Sequence, residues 1–162
     1  MALRNIMTEE QTCLYKTARP VTAFDGKLHT LLDDMAETLA DANGAGLAAP
    51  QVGILRRAFI VDVGEGLTEY INPEILETSG EQDGVEGCLS LPGKWGMVKR
   101  PNHVKIRAQD RNGAWFEQEQ EELAARCILH ENDHLNGHLY SEKVSHWLTE
   151  EEVAAMSQED EE

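Results

Sequence analysis

The chain has 162 residues, 41% of them hydrophobic and 27% charged, which suits one domain spanning 1–162 with a core of its own. No apolar run approaches bilayer length and Met1–Met7 lacks an apolar region of secretory size, so the expectation is a cytoplasmic protein without membrane attachment. A formal charge of −16 argues against a phosphate-binding surface and against stable nucleic-acid binding.

The first strong periodicity predicts a helix over Lys27–Ala42. Leu28, Leu31, Leu32, Met35, Leu39 and Ala42 recur at three- and four-residue spacing, with Asp33, Asp34 and Glu37 read as facing outward. Asn43-Gly44 supplies the stop. Ala58–Val63 and Tyr70–Pro73 with Ile75 and Leu76 read as extended, and Val104, Ile106 and Ala108 alternate with polar residues as in a half-buried strand. Asn112-Gly113 marks a hairpin, with Trp115-Phe116 opening the return strand. From about Glu121 the period changes to that of a helix ending near Gly137. A weak last helix is expected over Trp147–Met156, leading into an acidic, frayed tail. The sum is an α+β fold: short antiparallel strands packed around one central helix, with a second helix near the N-terminus.

Chemistry concentrates in three segments. His130-Glu131-Asn132-Asp133-His134 puts two imidazoles four residues apart on one helical face, with a glutamate beside the first as a candidate general base. Two histidines are one ligand short of a catalytic metal site. The downstream extension of the zinc-protease pattern places Tyr140 where a third histidine would stand, and Glu150–Glu152 lie in the acidic tail. Upstream, Glu86-Gly87-Cys88-Leu89-Ser90 offers a thiolate, giving a Cys-His-His set suited to iron(II), zinc, cobalt or nickel. A lone cysteine is more often a small buried hydrophobe, and Cys13 and Cys127 are read that way. Cys127, one turn before His130, also falls close enough to line a pocket. Gly44-Ala-Gly-Leu-Ala-Ala-Pro-Gln51 does not follow a strand–glycine loop–helix order, so it is no phosphate cradle. It offers close backbone approach and one neutral amide donor, Gln51, of the kind a developing oxyanion needs.

Together the three segments resemble the signature motifs of the peptide deformylase family, G-φ-G-φ-A-A-x-Q, E-G-C-φ-S and H-E-x-D-H with φ apolar, in the family's order. Ile71–Glu74 and Asp33–Thr38 are also similar to that family, and the likeness spans about residues 10 to 145. The resemblance implies a hydrolase that removes the N-formyl group from the starting methionine of nascent peptides. Cys88, His130 and His134 would hold one divalent ion, commonly iron(II), replaceable by nickel, cobalt or zinc. Glu131 would take a proton from the attacking water and pass it to the departing amine. The Gln51 side-chain amide and the Leu89 backbone N–H would hold the formyl oxygen. Ala45, Leu123, Cys127 and Trp95 are candidates for the methionine pocket, and Ala45, Gly46 and Gly87–Leu89 for main-chain pairing with the peptide. Glu86 would brace the site, with Asp133 paired to Arg100.

The chain departs from the family where Met7–Leu14 replaces a usual Pro-Asp and Leu-Arg stretch, so that segment should pack differently. Ala45 stands where a bulkier aliphatic is common, which would widen the pocket. Glutamates replace a basic C-terminal helix, so a transient ribosome encounter is expected rather than a stable dock. Two rivals stay in view. A peptidase built on H-E-x-x-H would need a downstream ligand, and a binding module would have lost one of Gln51, Cys88 or Glu131.

Overall fold

The computed structural model describes residues 2–161, with the side chains of 157–161 left aside. In chain order it contains α1 (Gly26–Ala42), β1 (Gly46–Ala48), β2 (Ala58–Val61), β3 (Thr68–Ser79), β4 (Gln82–Cys88), β5 (Leu91–Arg100), β6 (His103–Gln109), β7 (Trp115–Glu121), α2 (Glu122–Leu135), β8 (Val144–Trp147) and α3 (Glu150–Glu161). All pairings between these strands are antiparallel. One sheet runs β1-β2-β3-β6-β7 and the other β4-β5-β8. This is the expected α+β architecture, with α2 at its centre.

The two long helices cover opposite faces of the larger sheet. Leu28, Leu31, Leu32, Met35 and Leu39 of α1 pack with Leu47, Ala58, Ile60 and Ile71. Ala125, Ile128 and Leu135 of α2 pack with Ala48, Phe59, Val61, Val104, Ile106 and Ala108. Alternate residues of β1 and β2 therefore point to opposite helices, which is why β2 is buried along its whole length and reads as a continuous apolar run. Strand β6 turns Val104, Ile106 and Ala108 toward α2, and keeps the alternation seen in the sequence. A third cluster, Leu14, Leu91, Val98, Leu139 and Tyr140, joins the small sheet to the segment after α2.

Helix boundaries follow local chemistry. The Asp25 side chain accepts from the Leu28 N–H at the start of α1, and Asn43 closes it in the left-handed conformation at φ 55°. Three expectations need correction. Asp34 is buried, because the N-terminal segment lies over that side of α1: Ala2 N–H donates to it at 2.9 Å and Arg4 Nε at 3.0 Å. Helical periodicity registers the spacing of apolar residues and is blind to a strap from elsewhere in the chain. Trp147 ends strand β8 rather than opening a helix, since Gly96 of β5 offers it a pairing partner. The last helix begins at Glu150 and continues to Glu161, past the expected Met156; the tail's final residue, Glu162, lies outside the described residues.

Leu32 is fully buried between α1 and the larger sheet. Leu32→Ala should cost about 2–5 kcal/mol of stability in urea unfolding, with an unchanged slope.

Candidate metal centre

The histidines of α2 lie one turn apart on its buried face. Cys88 arrives from the end of β4, where the pairing with β5 shifts register between Glu86 and Cys88. Cys88 Sγ lies 3.4 Å from His134 Nε2, and the ligating atoms of Cys88, His130 and His134 all fall within 4.8 Å of one another. One sulfur and two nitrogens at that separation fit a single divalent ion, and three protein donors leave a coordination position free for chemistry. Tyr140, the residue standing where the protease pattern has histidine, packs its ring 5.5 Å from that of His130 instead of ligating.

A buried ionic cluster supports this trio. The Glu86 carboxylate accepts from Arg100 Nε and Nη2, from Arg126 Nη1 and from His130 Nδ1, the last at 2.8 Å. Burial works against its charge, yet the hydrogen bonds from His130 and Arg100 outweigh it and hold the carboxyl down at about 2. Arg100 also reaches Asp133 at 3.0 Å, the pairing expected from the sequence. The two imidazoles are unequal. Burial opposes charge on His130, but hydrogen bonds with Cys88 and Glu86 prevail and raise it to about 10 in the metal-free protein. Among the described residues His134 Nδ1 has no hydrogen-bond partner; burial, His130 and Arg100 push it well below the usual histidine value.

Glu131 sits beside the trio with its Oε1 buried and unpartnered among the described residues. Burial raises its carboxyl to about 7, the range of a group that can both take and return a proton near neutrality. The first motif explains itself here. A methyl group on Gly46 would lie 2.6 Å from Glu131 Oε2, so β1 needs glycine at this point for the carboxylate to reach the site. Gln51 lies in the turn after β1. Its Oε1 accepts from Ala48 N–H at 2.9 Å, which aims Nε2 at Ser90 Oγ (3.1 Å) and Cys88 Sγ (3.5 Å).

These groups open onto a cavity of about 590 Å³. Ala45, Gly46, Gln51, Glu86, Gly87, Cys88, Leu89, Trp95, Leu123, Cys127, His130 and Glu131 all contribute to its wall. Leu123 and Trp95 are 55% and 45% exposed and form its rim, the Trp95 ring lying across Gly87. Cys127 is a lining thiol, pushed up to about 12 by burial and by Glu131, and so inert near neutral pH. His134, Asp133 and Arg100 stand behind the wall. Sequence reasoning missed Ser90, Tyr140 and above all Arg126, which lines the cavity and is buried. The signal for Arg126 was a charged residue one turn before His130, on the side of α2 that must face protein.

Comparisons agree with this geometry. A family model described as polypeptide deformylase matches residues 3–150. A peptide deformylase of Agathobacter rectalis is 59% identical over 144 residues, covering 89% of this chain and 91% of the relative. The crystal structure of peptide deformylase from Thermotoga maritima superposes with a TM-score of 0.87 at 42% identity, covering 88% of this chain and 98% of that one. A class I type b peptide deformylase from Acinetobacter baumannii, solved bound to Met-Ala-Ser, gives 0.85 at 35% identity, covering 87% and 99%.

A metal ion takes imidazole only in its neutral form, whereas the hydrogen bonds with Cys88 and Glu86 favour the charged form of His130 in the metal-free protein. Uptake of cobalt(II) should therefore release protons, and its apparent affinity should rise between pH 6 and 8. Calorimetry at several pH values in buffers of different ionisation heat measures both; a flat affinity over that range would contradict a raised His130.

Proposed function

The chain belongs to the polypeptide deformylase family, and from that premise we propose how its own residues divide the work. The protein is a metal-dependent hydrolase that removes the N-formyl group from the N-terminal methionine of new polypeptides, releasing formate. We assign Cys88, His130 and His134 as the ligands of one divalent ion, iron(II) in the cell, with nickel, cobalt and zinc as substitutes. When bound, that ion supplies Lewis acidity, polarising the formyl carbonyl and acidifying the attacking water.

Glu131 takes the proton of the attacking water and delivers it to the amine nitrogen as the C–N bond breaks. The observation that carries this reading is its buried Oε1, unpartnered among the described residues, beside the three donor atoms. Gln51 Nε2 and the Leu89 N–H hold the formyl oxygen as negative charge develops there, each worth about 100- to 1,000-fold in rate. Ala45, Leu123, Cys127 and Trp95 receive the methionine side chain. Main-chain groups of Ala45, Gly46 and Gly87–Leu89 pair with the peptide. In support, β1 and β4 each end a sheet, and both contribute to the cavity wall, so an extended peptide can add between two open edges. Main-chain pairing tolerates many sequences after methionine.

Among the described residues no helix is long and apolar enough to cross a membrane. We propose a cytoplasmic enzyme that meets nascent chains in transient encounters with the ribosome, since a chain of charge −16 has little to hold ribosomal RNA.

The nickel- or iron-loaded protein should release formate from formyl-Met-Ala-Ser and leave an unformylated peptide whole. Internal cleavage of that control would instead mark a peptidase, and no formate from folded, metallated protein would mark a binding module. Glu131→Ala should keep fold and metal while turnover falls by about 100- to 10,000-fold; normal rates would refute the proton-transfer role. Gly46→Ala should also retain metal, yet lose about 100-fold in kcat because the added methyl displaces the Glu131 carboxylate.

A further inference from the structure

The three donors of the centre come from two separate parts of the fold. Cys88 ends β4 in the small sheet, whereas His130 and His134 ride on α2, which packs on the large one. A metal site tolerates errors of only about 0.2 Å in its bond lengths. Some contact must fix α2 against the small sheet to that precision.

Arg126 makes a contact of that kind. It lies on α2 one turn before His130 and is buried. Its Nη1 donates to Glu86 Oε2 and to the Val98 carbonyl at 3.0 Å, and its Nη2 to the Gln82 carbonyl at 3.3 Å. One planar guanidinium thus ties the helix to β4 at two points and to β5 at a third. The strand is shaped to admit it: a methyl group on Gly84 would lie 2.8 Å from Arg126 Nη2. Glu86 then closes a loop back to the helix, accepting from His130 Nδ1 only two residues before Cys88.

Charge balance alone does not require this residue. Arg100 already engages both Glu86 oxygens, and Asp133, its other partner, also has Lys143 at 3.4 Å. What Arg126 adds is direction, through two carbonyl bonds that Arg100 does not make. We propose that Arg126 is a positioning residue for the metal centre, acting through Glu86 and the β4–β5 backbone to hold Cys88 and His130 at ligating distance. This inference rests on the ligand assignment above.

The test is cobalt(II) titration of metal-free parent, Arg126→Met and Arg126→Lys proteins. It is read as affinity and as the thiolate-to-cobalt absorption band, with thermal unfolding of the metal-free proteins alongside. The methionine variant keeps an apolar stem; the lysine variant keeps the charge but loses the fork, and serves if the first does not fold. Both should bind cobalt about 10- to 100-fold more weakly than the parent, with a weakened and shifted thiolate band. Variants that unfold at lower temperature but bind cobalt with parental affinity and spectrum would overturn the proposal, leaving Arg126 a brace of the fold alone. A parent that takes up no cobalt would instead overturn the ligand assignment itself.

Discussion

A carboxylate can be buried with its charge only if donors surround it, and Glu86 is met by two guanidiniums and an imidazole. The ionic cluster at the centre of this molecule is arranged around that requirement. Arg100 comes from β5, Arg126 and His130 from α2, and Glu86 itself from β4. Satisfying one buried charge therefore locks three elements together. The same lock sets the His130 ring: with Nδ1 donating to Glu86, Nε2 is the nitrogen left free to take the proposed ion.

The side proposed to transfer the proton is built on the opposite principle. Glu131 is adjacent to His130 in sequence, yet its Oε1 has no donor among the described residues. Burial raises one carboxyl to about 7 while ionic partners hold the other down at about 2. Two glutamates in the same small volume are thus set apart by their surroundings, one favoured as the charged form and the other raised into the range that the proposed proton transfer needs. Gly46 permits this economy, because removing a side chain from β1 makes the room that Glu131 occupies.

The large sheet serves as the frame. With α1 on one face and α2 on the other, β1 and β2 are immobilised between two apolar layers, and β1 presents its free edge to the cavity. The small sheet brings a second edge, β4, from the other side. A slot bounded by two strand edges suits a hydrolase whose substrates share only a backbone and a formylated methionine.

Much of this was legible in the chain. Apolar spacing located α1 and α2 to within a residue or two, because a helix face that must be buried leaves a period in the sequence. The strand over Val104–Ala108 was equally plain, being covered on one face only. His130, Glu131 and His134 declared themselves because one helical turn makes local spacing and spatial adjacency the same thing. Strands β1, β4, β5 and β8 left weaker traces, since they are glycine-rich, irregular in register or short, and their partners lie far off in sequence. Family motifs named Cys88 and Gln51, but no pattern of spacing could bring residues 51 and 88 beside 130. Only packing of the small sheet onto α2 does that. The burial of Asp34, the open oxygen of Glu131 and the reach of Arg126 across two strands were decided by tertiary structure as well, because each depends on what the rest of the chain places next to a side chain, and a linear sequence does not record its neighbours in space.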